Sequence, residues 1–578
     1  MKKKFNFLVY YIEDLKNFNN YELIDNFIPL TPNAESFLID KSYKFKKNIF
    51  FSDYNFNYKV NKNIKIAYKG INKYLYELGI SNHSLECAMN ISYKLLSSYF
   101  YIKNIINDKG PWIIFYKNNW EKIYHKDEVI FKIYERTHIN LLDFFKIDKL
   151  NIFDKKFVKL YNKVALNISK KNKIILSEKN LGFPKIINQL QKKKKNTSLI
   201  FFKRLKNNIF LNILSNFFKL IIDRNNITLF TYIDYFNKNI INFKYKNIEN
   251  ISLKNINIDD NSIKIISQHI KNSILFSNQF SSYLDIIFNK EFKLFIAHEI
   301  RWYENLSIAY VCKKNNIKVH LISHGSHALT SKPEDVFSVD IRANGMIYSK
   351  YADLLVAQSP LAYEYLINRF KQIEIFKSKP IMWGVSNEQN AIIKKNENNF
   401  VIVHASTSKI LGGREWMYEN SFEYIENIKF LIKEISKFNK VKLIIRFREN
   451  IENNYIYTKL LFKNYPNIKI KTSGNFYEDI INSDLIISYS STIIEEGLCL
   501  RKPIALFGND FYRHVKSSII PPNKDDRFPV YSLNRNNFTQ MLTEIINFHK
   551  KENLKDYELS NYTWIKEQNN FNYLNELI

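Results

Sequence analysis

Apolar and polar positions fall into ordered blocks between residues 400 and 508. Short apolar runs occur at Phe400–His404, Val441–Phe447, Ile468–Lys471, Asp484–Ile487 and Pro503–Phe507, separated by helical patterns, the longest over Met417–Phe438. Runs of this length, rich in isoleucine and valine and alternating with helices, predict a parallel sheet with helices on both faces. A second block lies upstream. Lys293–Ala297 reads as a strand, Tyr303–Asn315 as a helix and Ile317–Ile322 as the next strand, with Tyr351–Phe370 and Lys379–Gly384 closing the unit. The polar, unpatterned stretch Lys394–Asn399 reads as a linker, so the expected division is 1–393 and 400–578. In the first 290 residues, Phe5–Ile12 reads as a first strand, and Trp112–Tyr116 and Thr228–Tyr232 are strand-like without a legible order. No internal repeat is visible.

The segment 192–224 has its own pattern. It carries nine basic residues and one acidic residue, and Phe202, Leu205, Ile209, Ile213, Phe217 and Leu220 share one helical stripe. Two readings follow: an ordinary helix facing the core behind a solvated lysine run, or a basic amphipathic helix lying on an anionic bilayer.

Composition narrows the class. At 578 residues, with 46% hydrophobic and 16% aromatic residues, the chain supports more than one folded core. Lysine and arginine exceed aspartate and glutamate by 86 − 56 = 30. Such an excess suits nucleic acid, an anionic membrane face or phosphorylated substrates, although a coding bias toward lysine and asparagine also produces it. No RNA-recognition, helix-turn-helix or zinc-finger pattern is present, so nucleic acid is not an expected partner. Cys87, Cys312 and Cys499 are too few and too scattered for a disulfide framework or metal quartet, which suits a cytoplasmic setting. No run approaches the roughly 20 apolar residues of a spanning helix, so a cytoplasmic protein, at most peripheral at the inner membrane face, is expected. With only 12 glycines in the chain, a glycine beside a candidate site is informative.

The chemistry concentrates at predicted strand ends. Asp484–Ile487 runs into Ser488, Ser490, Ser491 and Thr492, then a short helix bearing Glu495 and Glu496, then Lys502-Pro503. Small hydroxyl residues where a parallel strand meets a helix suit a phosphate group, because unpaired backbone N–H groups and the positive end of the helix dipole converge there. A glutamate one turn on, Glu495, suits ribose hydroxyls. Arg446 and Arg448 end Val441–Phe447 and suit bidentate phosphate binding, or else surface pairing with Glu449 or Glu452. Ser406 lies just past Phe400–His404 at the same sheet edge. Together these describe the grip of a nucleotide-sugar enzyme.

Four of the 11 histidines fall between His298 and His327. The strand Lys293–Ala297 leads into His298-Glu299 and the strand Ile317–Ile322 leads to His324-Gly325, so both tips are expected at one carboxyl edge, where open parallel sheets bind ligands. An imidazole there suits a general base that takes a proton from an acceptor hydroxyl. His324 is the leading candidate, with Glu299 or His298 beside it; His320 lies within the strand and reads as a core residue. Arg301 suits either a phosphate or Glu304. The spacing of His320, His324 and His327 fits neither a helical pair nor a Cys/His cluster, so no metal is expected.

Residues 483–508, SDLIISYSSTIIEEGLCLRKPIALFG, together with the early His-Gly turn, resemble GT-B glycosyltransferases of bacterial surface-polysaccharide assembly, nearest in pattern to those using cytidine-nucleotide donors. The likeness covers about residues 290–510. It implies two Rossmann-like parallel-sheet domains facing across a cleft, with an extended N-terminal region. It also implies a donor phosphate at Ser490 and Ser491, a reacting centre at His324, and a nucleotide contact at Arg446. The family's His-Pro after that arginine is replaced here by Arg448-Glu449. The expected activity is transfer of a sugar, or a glycerol-phosphate-like unit, from a nucleotide-activated donor to a glycan or lipid-linked acceptor, with no cofactor beyond the donor. Two alternatives are a hydrolysing UDP-sugar 2-epimerase and a non-catalytic, membrane-associated scaffold of the same assembly machinery.

Overall fold

A computed structural model describes residues 5–9, 15, 21–29, 32–45, 54–105, 112–116, 119–123, 152–177, 183–193, 196–204, 209–231, 258–323, 336–370, 372–378, 380–381, 399–405, 421–447, 465–489, 491–508, 515–550, 553–564 and 573. The first sheet is small: β1 (Phe5–Val9) lies between β2 (Ile24–Pro29) and β3 (Trp112–Tyr116), parallel to both, and β4 (Asn119–Ile123) closes the far side antiparallel to β3. It has its own core of Phe7, Val9, Phe27, Ala34 and Leu38.

The second sheet has seven strands, all parallel: β5 (Asn172–Leu176), β6 (Thr197–Arg204), β7 (Asn226–Thr231), β8 (Phe292–Ala297), β9 (Lys318–Ile322), β10 (Leu354–Ala357) and β11 (Glu374–Lys377). Their spatial order is β11-β10-β9-β8-β5-β6-β7. The chain winds outward from β5 to β7, returns along the helix Asp260–Ile287, and winds the other way from β8. The third sheet has the same design in six parallel strands: β12 (Phe400–Ala405), β13 (Val441–Arg446), β14 (Ile468–Lys471), β15 (Leu485–Ser488), β16 (Ile504–Phe507) and β17 (Val530–Leu533). Its order is β14-β13-β12-β15-β16-β17, so winding reverses between β12 and β15. The protein is thus α/β with two doubly wound parallel sheets. The strands expected at Lys293–Ala297 and Ile317–Ile322 and those expected between Phe400 and Phe507 are present with ends moved by a residue or two. In contrast, Tyr351–Phe370 divides into β10 and the helix Pro360–Arg369, and β11 precedes the expected closing segment Lys379–Gly384, of which 379 and 382–384 lie outside the described residues.

Period-two side-chain alternation explains why both sheets are covered on both faces. In the seven-stranded sheet, Ile175, Ile200, Phe295 and Leu321 enter one apolar cluster, while Ile174, Leu199, Ile296 and Ile322 enter another. In the six-stranded sheet, Ile402, Leu443, Ile445 and Ile487 face one cluster, and Val403, Ile486, Ile504 and Leu506 face the other. Central strands such as β10 and β15 are buried throughout; the edge strands β11 and β14 are mostly half-exposed.

The segment 192–224 is not one helix. Thr197–Arg204 is strand β6, paired on both sides, and the helix begins at Ile209, so Phe202 does not share a helical stripe with Ile213 and Leu220. The reason is local composition: Leu-Ile-Phe-Phe is a β-favouring run, and pairing with β5 and β7 overrides the helical spacing. Side-chain contacts couple the two doubly wound units. Tyr573, near the C-terminus, is fully buried against the seven-stranded sheet; its hydroxyl lies 2.6 Å from His320 Nδ1, and its amide donates to Ser378 Oγ at 3.2 Å. Lys516 and Glu364 add a surface ion pair between the units at 3.4 Å. Among the described residues, no helix is long and apolar enough to cross a membrane.

Candidate functional site

In a doubly wound sheet the loops leaving neighbouring strands diverge to opposite faces at the point of reversal, opening a crevice at the carboxyl ends. The seven-stranded sheet reverses between β5 and β8. There the chain places Ser177 directly after β5 and His298 directly after β8. Ser177 Oγ lies 2.9 Å from His298 Nδ1 and accepts the His298 backbone N–H at 3.3 Å. Ser177 is 2% exposed, whereas His298 and Glu299 are half-buried. The Ser177 hydroxyl, with one donor and two acceptor positions, thus holds both the ring and the backbone of His298 at the end of β5.

Glu299 accepts a 2.6 Å hydrogen bond from Arg301 Nε, so Arg301 pairs with this carboxylate and not with Glu304. Glu304 instead accepts from the Tyr303 hydroxyl at 2.9 Å. The turn 298–302 is pinned from two directions. Asn90 Nδ2 donates to the Arg301 carbonyl at 2.8 Å, and Ile300 N–H donates to the Gly345 carbonyl at 2.5 Å. Gly345 has φ +75°, and a Cβ there would lie 2.5 Å from both Ile300 O and Arg301 Cγ. Only glycine fits that left-handed, closely approached position.

His320 lies in β9 against Tyr573, and burial lowers its pKa to about 4, with Lys318 adding to the effect. It is a half-buried strand residue packed on Tyr573, within the sheet and not at its carboxyl edge. Strand β9 pairs with β8 through Ala297 and Leu321 and ends at Ile322, so its carboxyl tip lies beside that of β8. His324, which follows, lies outside the described residues.

The six-stranded sheet reverses between β12 and β15. Ser488 ends β15 fully buried; Ser491 and Thr492 are half-exposed in the turn, and the helix Ile493–Cys499 follows. Ser491 Oγ accepts the Ile493 N–H at 3.4 Å. Gly497 allows this helix to lie on the sheet: a Cβ there would overlap Ile486 Cδ1 and sit 2.8 Å from Ile504 Cδ1. Glu495 and Glu496 are 1% and 4% exposed, which suits carboxylates bracing the turn from beneath more than groups meeting a ribose. Tyr489, between the serines, is buried in the cluster of the seven-stranded unit, and Cys499 joins the cluster containing Leu176, Ile296 and Ile322. The turn after β15 is therefore flanked by residues packed against the other unit.

Arg446 is engaged within its own unit. Nε pairs with Asp479 Oδ2 at 3.0 Å, one terminal nitrogen donates to the Ser473 carbonyl, and the other donates to the Gly474 carbonyl at 2.9 Å. Its guanidinium also sits 5.6 Å from the Phe476 ring, and Lys471 shares Asp479. With each nitrogen partnered, Arg446 ties the turn after β14 to the sheet. His404, near the end of β12, is 4% exposed, and burial lowers its pKa to about 4. Ser406, Arg448 and Ser490 lie outside the described residues.

Sequence reasoning missed Ser177 and Gly345. The scarcity of glycine, together with the turn-forming pair Asn344-Gly345, was a usable signal for the second. Ser177 had none, because its significance rests on β5 lying next to β8, 115 residues or more along the chain in the register Lys173–Phe292 to Leu176–Ile296.

No family model matches the chain. A probable cytochrome P450, 518B1, of Dictyostelium discoideum is 27% identical over 137 residues, 24% of this chain; the match spans about a quarter (27%) of that protein's length. Among solved structures, the MnaA–UDP co-structure of S. aureus aligns with TM-score 0.39 and 14% identity, covering 68% of this chain and 94% of that one. The Neisseria meningitidis UDP-GlcNAc 2-epimerase bound to UDP-GlcNAc aligns with TM-score 0.37 and 13% identity over 67% and 95% of the two chains. The wall teichoic acid polymerase TagF aligns with TM-score 0.34 and 13% identity over 76% and 92%. Likenesses at this level carry no argument; the fold follows from the strand orders above.

Proposed function

We propose that this protein is a glycosyltransferase, or a glycerophosphotransferase-like enzyme, that moves a group from a nucleotide-activated donor to a growing cell-surface glycan. One observation carries the reading: in each of two doubly wound sheets, the point of strand-order reversal coincides with hydrogen-bonding residues, Ser177 and His298 in one, Ser488, Ser491 and Thr492 in the other. The donor phosphates are assigned to the turn 490–492, and the acceptor to the edge that carries His298, Glu299 and the start of the His324 turn. The acceptor oxygen attacks the donor's reacting centre, the bond to the nucleoside phosphate breaks, and the hydroxyl proton passes to an imidazole of that edge. Arg446 acts by holding the 473–474 turn, not by touching phosphate. A cytidine base is proposed from the likeness of residues 483–508 to enzymes using such donors.

The test is a thermal-unfolding panel with CMP, CDP, UDP and GDP, since a ligand raises the apparent transition according to its affinity. CMP or CDP is expected to raise it, and Ser491→Ala with Thr492→Ala to reduce the rise. No response to any nucleotide would overturn the reading in favour of a non-catalytic scaffold. Release of free N-acetylmannosamine from UDP-N-acetylglucosamine would reassign the chain to the hydrolysing epimerases.

A further inference from the structure

The helix Ile209–Ile222 packs on β7, the outermost strand of the seven-stranded sheet, and buries Ile213 and Leu220. Its opposite face is as apolar as the buried one. Leu211, Leu214, Phe218, Ile221 and Ile222 are 64%, 37%, 58%, 59% and 85% exposed. Their spacing, i, i+3, i+7, i+10 and i+11, makes one continuous stripe. Single exposed apolar residues are ordinary on a protein surface; five on one face of one helix mark an interaction surface. This is not the stripe legible in the sequence, which ran through Ile213, Phe217 and Leu220 and whose buried members face the core.

The neighbouring helix Ile152–Ile168 packs against both this helix and β7. It buries Val158, Tyr161 and Ala165, and turns Lys156, Lys159, Lys163 and the 58% exposed Leu160 outward. None of the three lysines pairs with a carboxylate among the described residues. An apolar helix face flanked by unneutralised lysines has the composition of an interfacial membrane element: apolar side chains enter the acyl boundary while lysines meet anionic headgroups. A second copy is a poorer occupant, because a symmetric contact would bring the same lysines together in a chain whose formal charge is already +30.

The geometry points to the outer faces of helices Ile152–Ile168 and Ile209–Ile222 as a docking surface for an anionic lipid bilayer. Attachment would hold the protein flat on the membrane by the β7 edge of the seven-stranded sheet, without a spanning helix. It is separable from the nucleotide reading, since each is measured without the other's ligand.

The test is co-sedimentation of the full chain with vesicles of phosphatidylglycerol and phosphatidylcholine in equal parts, and with phosphatidylcholine alone. Binding is expected to the first, weakened by salt, and little to the second. Phe218→Ser with Ile222→Ser should lower partitioning about tenfold or more, with an unchanged unfolding transition confirming the fold. Lys156→Gln, Lys159→Gln and Lys163→Gln together should lower partitioning and flatten its salt dependence. The inference is overturned if both variant sets partition like the parent chain, or if the parent does not bind anionic vesicles. It is equally overturned if the serine substitutions abolish a concentration-dependent dimer while no vesicle binding is seen.

Discussion

Ser177 Oγ and His298 Nδ1 lie 2.9 Å apart although 121 residues separate them in the chain. The pair exists only because β8 is laid beside β5 at the sheet's reversal point. The 2.9 Å contact fixes the orientation of the His298 ring, so on the proposed function Ser177 is a positioning residue for His298. We expect Ser177→Ala to lower the proposed transfer activity by roughly tenfold, the scale of one net hydrogen bond, and to move the acid limb of the pH–rate profile. Ser177→Thr, which keeps the hydroxyl, should restore the profile. A merely structural serine would lower stability and leave the profile in place.

Gly345 is the clamp beneath the same edge. With φ +75° and a would-be Cβ 2.5 Å from the Ile300 carbonyl oxygen, Gly345→Ala combines backbone strain with steric overlap. A loss of roughly 1–3 kcal/mol is expected in denaturant unfolding. The turn 298–302 should be displaced with it, so activity should fall further than stability alone requires.

Arg446 and Asp479 are 6% and 8% exposed in a 3.0 Å ion pair. Removing one partner leaves the other charge buried, which typically costs about 3–5 kcal/mol; Lys471, also bonded to Asp479, should hold Arg446→Ala near the lower figure. Chemical denaturation measures this directly. Unchanged stability with a lost nucleotide response would return Arg446 to the phosphate.

His83, His269, His320 and His404 each have pKa lowered from 6.5 to about 4, in every case chiefly by burial. The unfolded chain therefore binds more protons than the folded one between these values, and stability rises with pH across that window. It is fully present above 6.5 and lost progressively as pH falls to about 4, by an amount on the order of 3 kcal/mol per histidine. The melting temperature should fall steeply through that range and stay level between pH 7 and 8. Replacing buried His404 with Gln should remove part of the slope.

Much of the second doubly wound unit was legible because its signals are local. Ile-rich runs such as Leu485–Ser488 and Ile504–Phe507 are buried on both faces, and no other element accommodates them at that length. The seryl turn, the Glu-Glu-Gly helix and the histidine after β8 could likewise be placed at strand ends from the chain alone. Arg446 illustrates where such reading stops. Its position at a strand end was correct, but whether a guanidinium meets a ligand or a buried aspartate depends on what a distant loop brings to it.

Residue order by itself determined β12 to β16 of the six-stranded sheet and β8 and β9 of the seven-stranded one, since period-two and helical apolar spacing act within a few residues. Tertiary structure alone decided the strand order, the meeting of Ser177 with His298, the division of the basic segment into β6 and a helix, and which side of that helix faces water. Those outcomes depend on pairing and burial between segments from 25 residues apart, as in Asn172 and Thr197, to 121 apart, as in Ser177 and His298, and no local spacing encodes them.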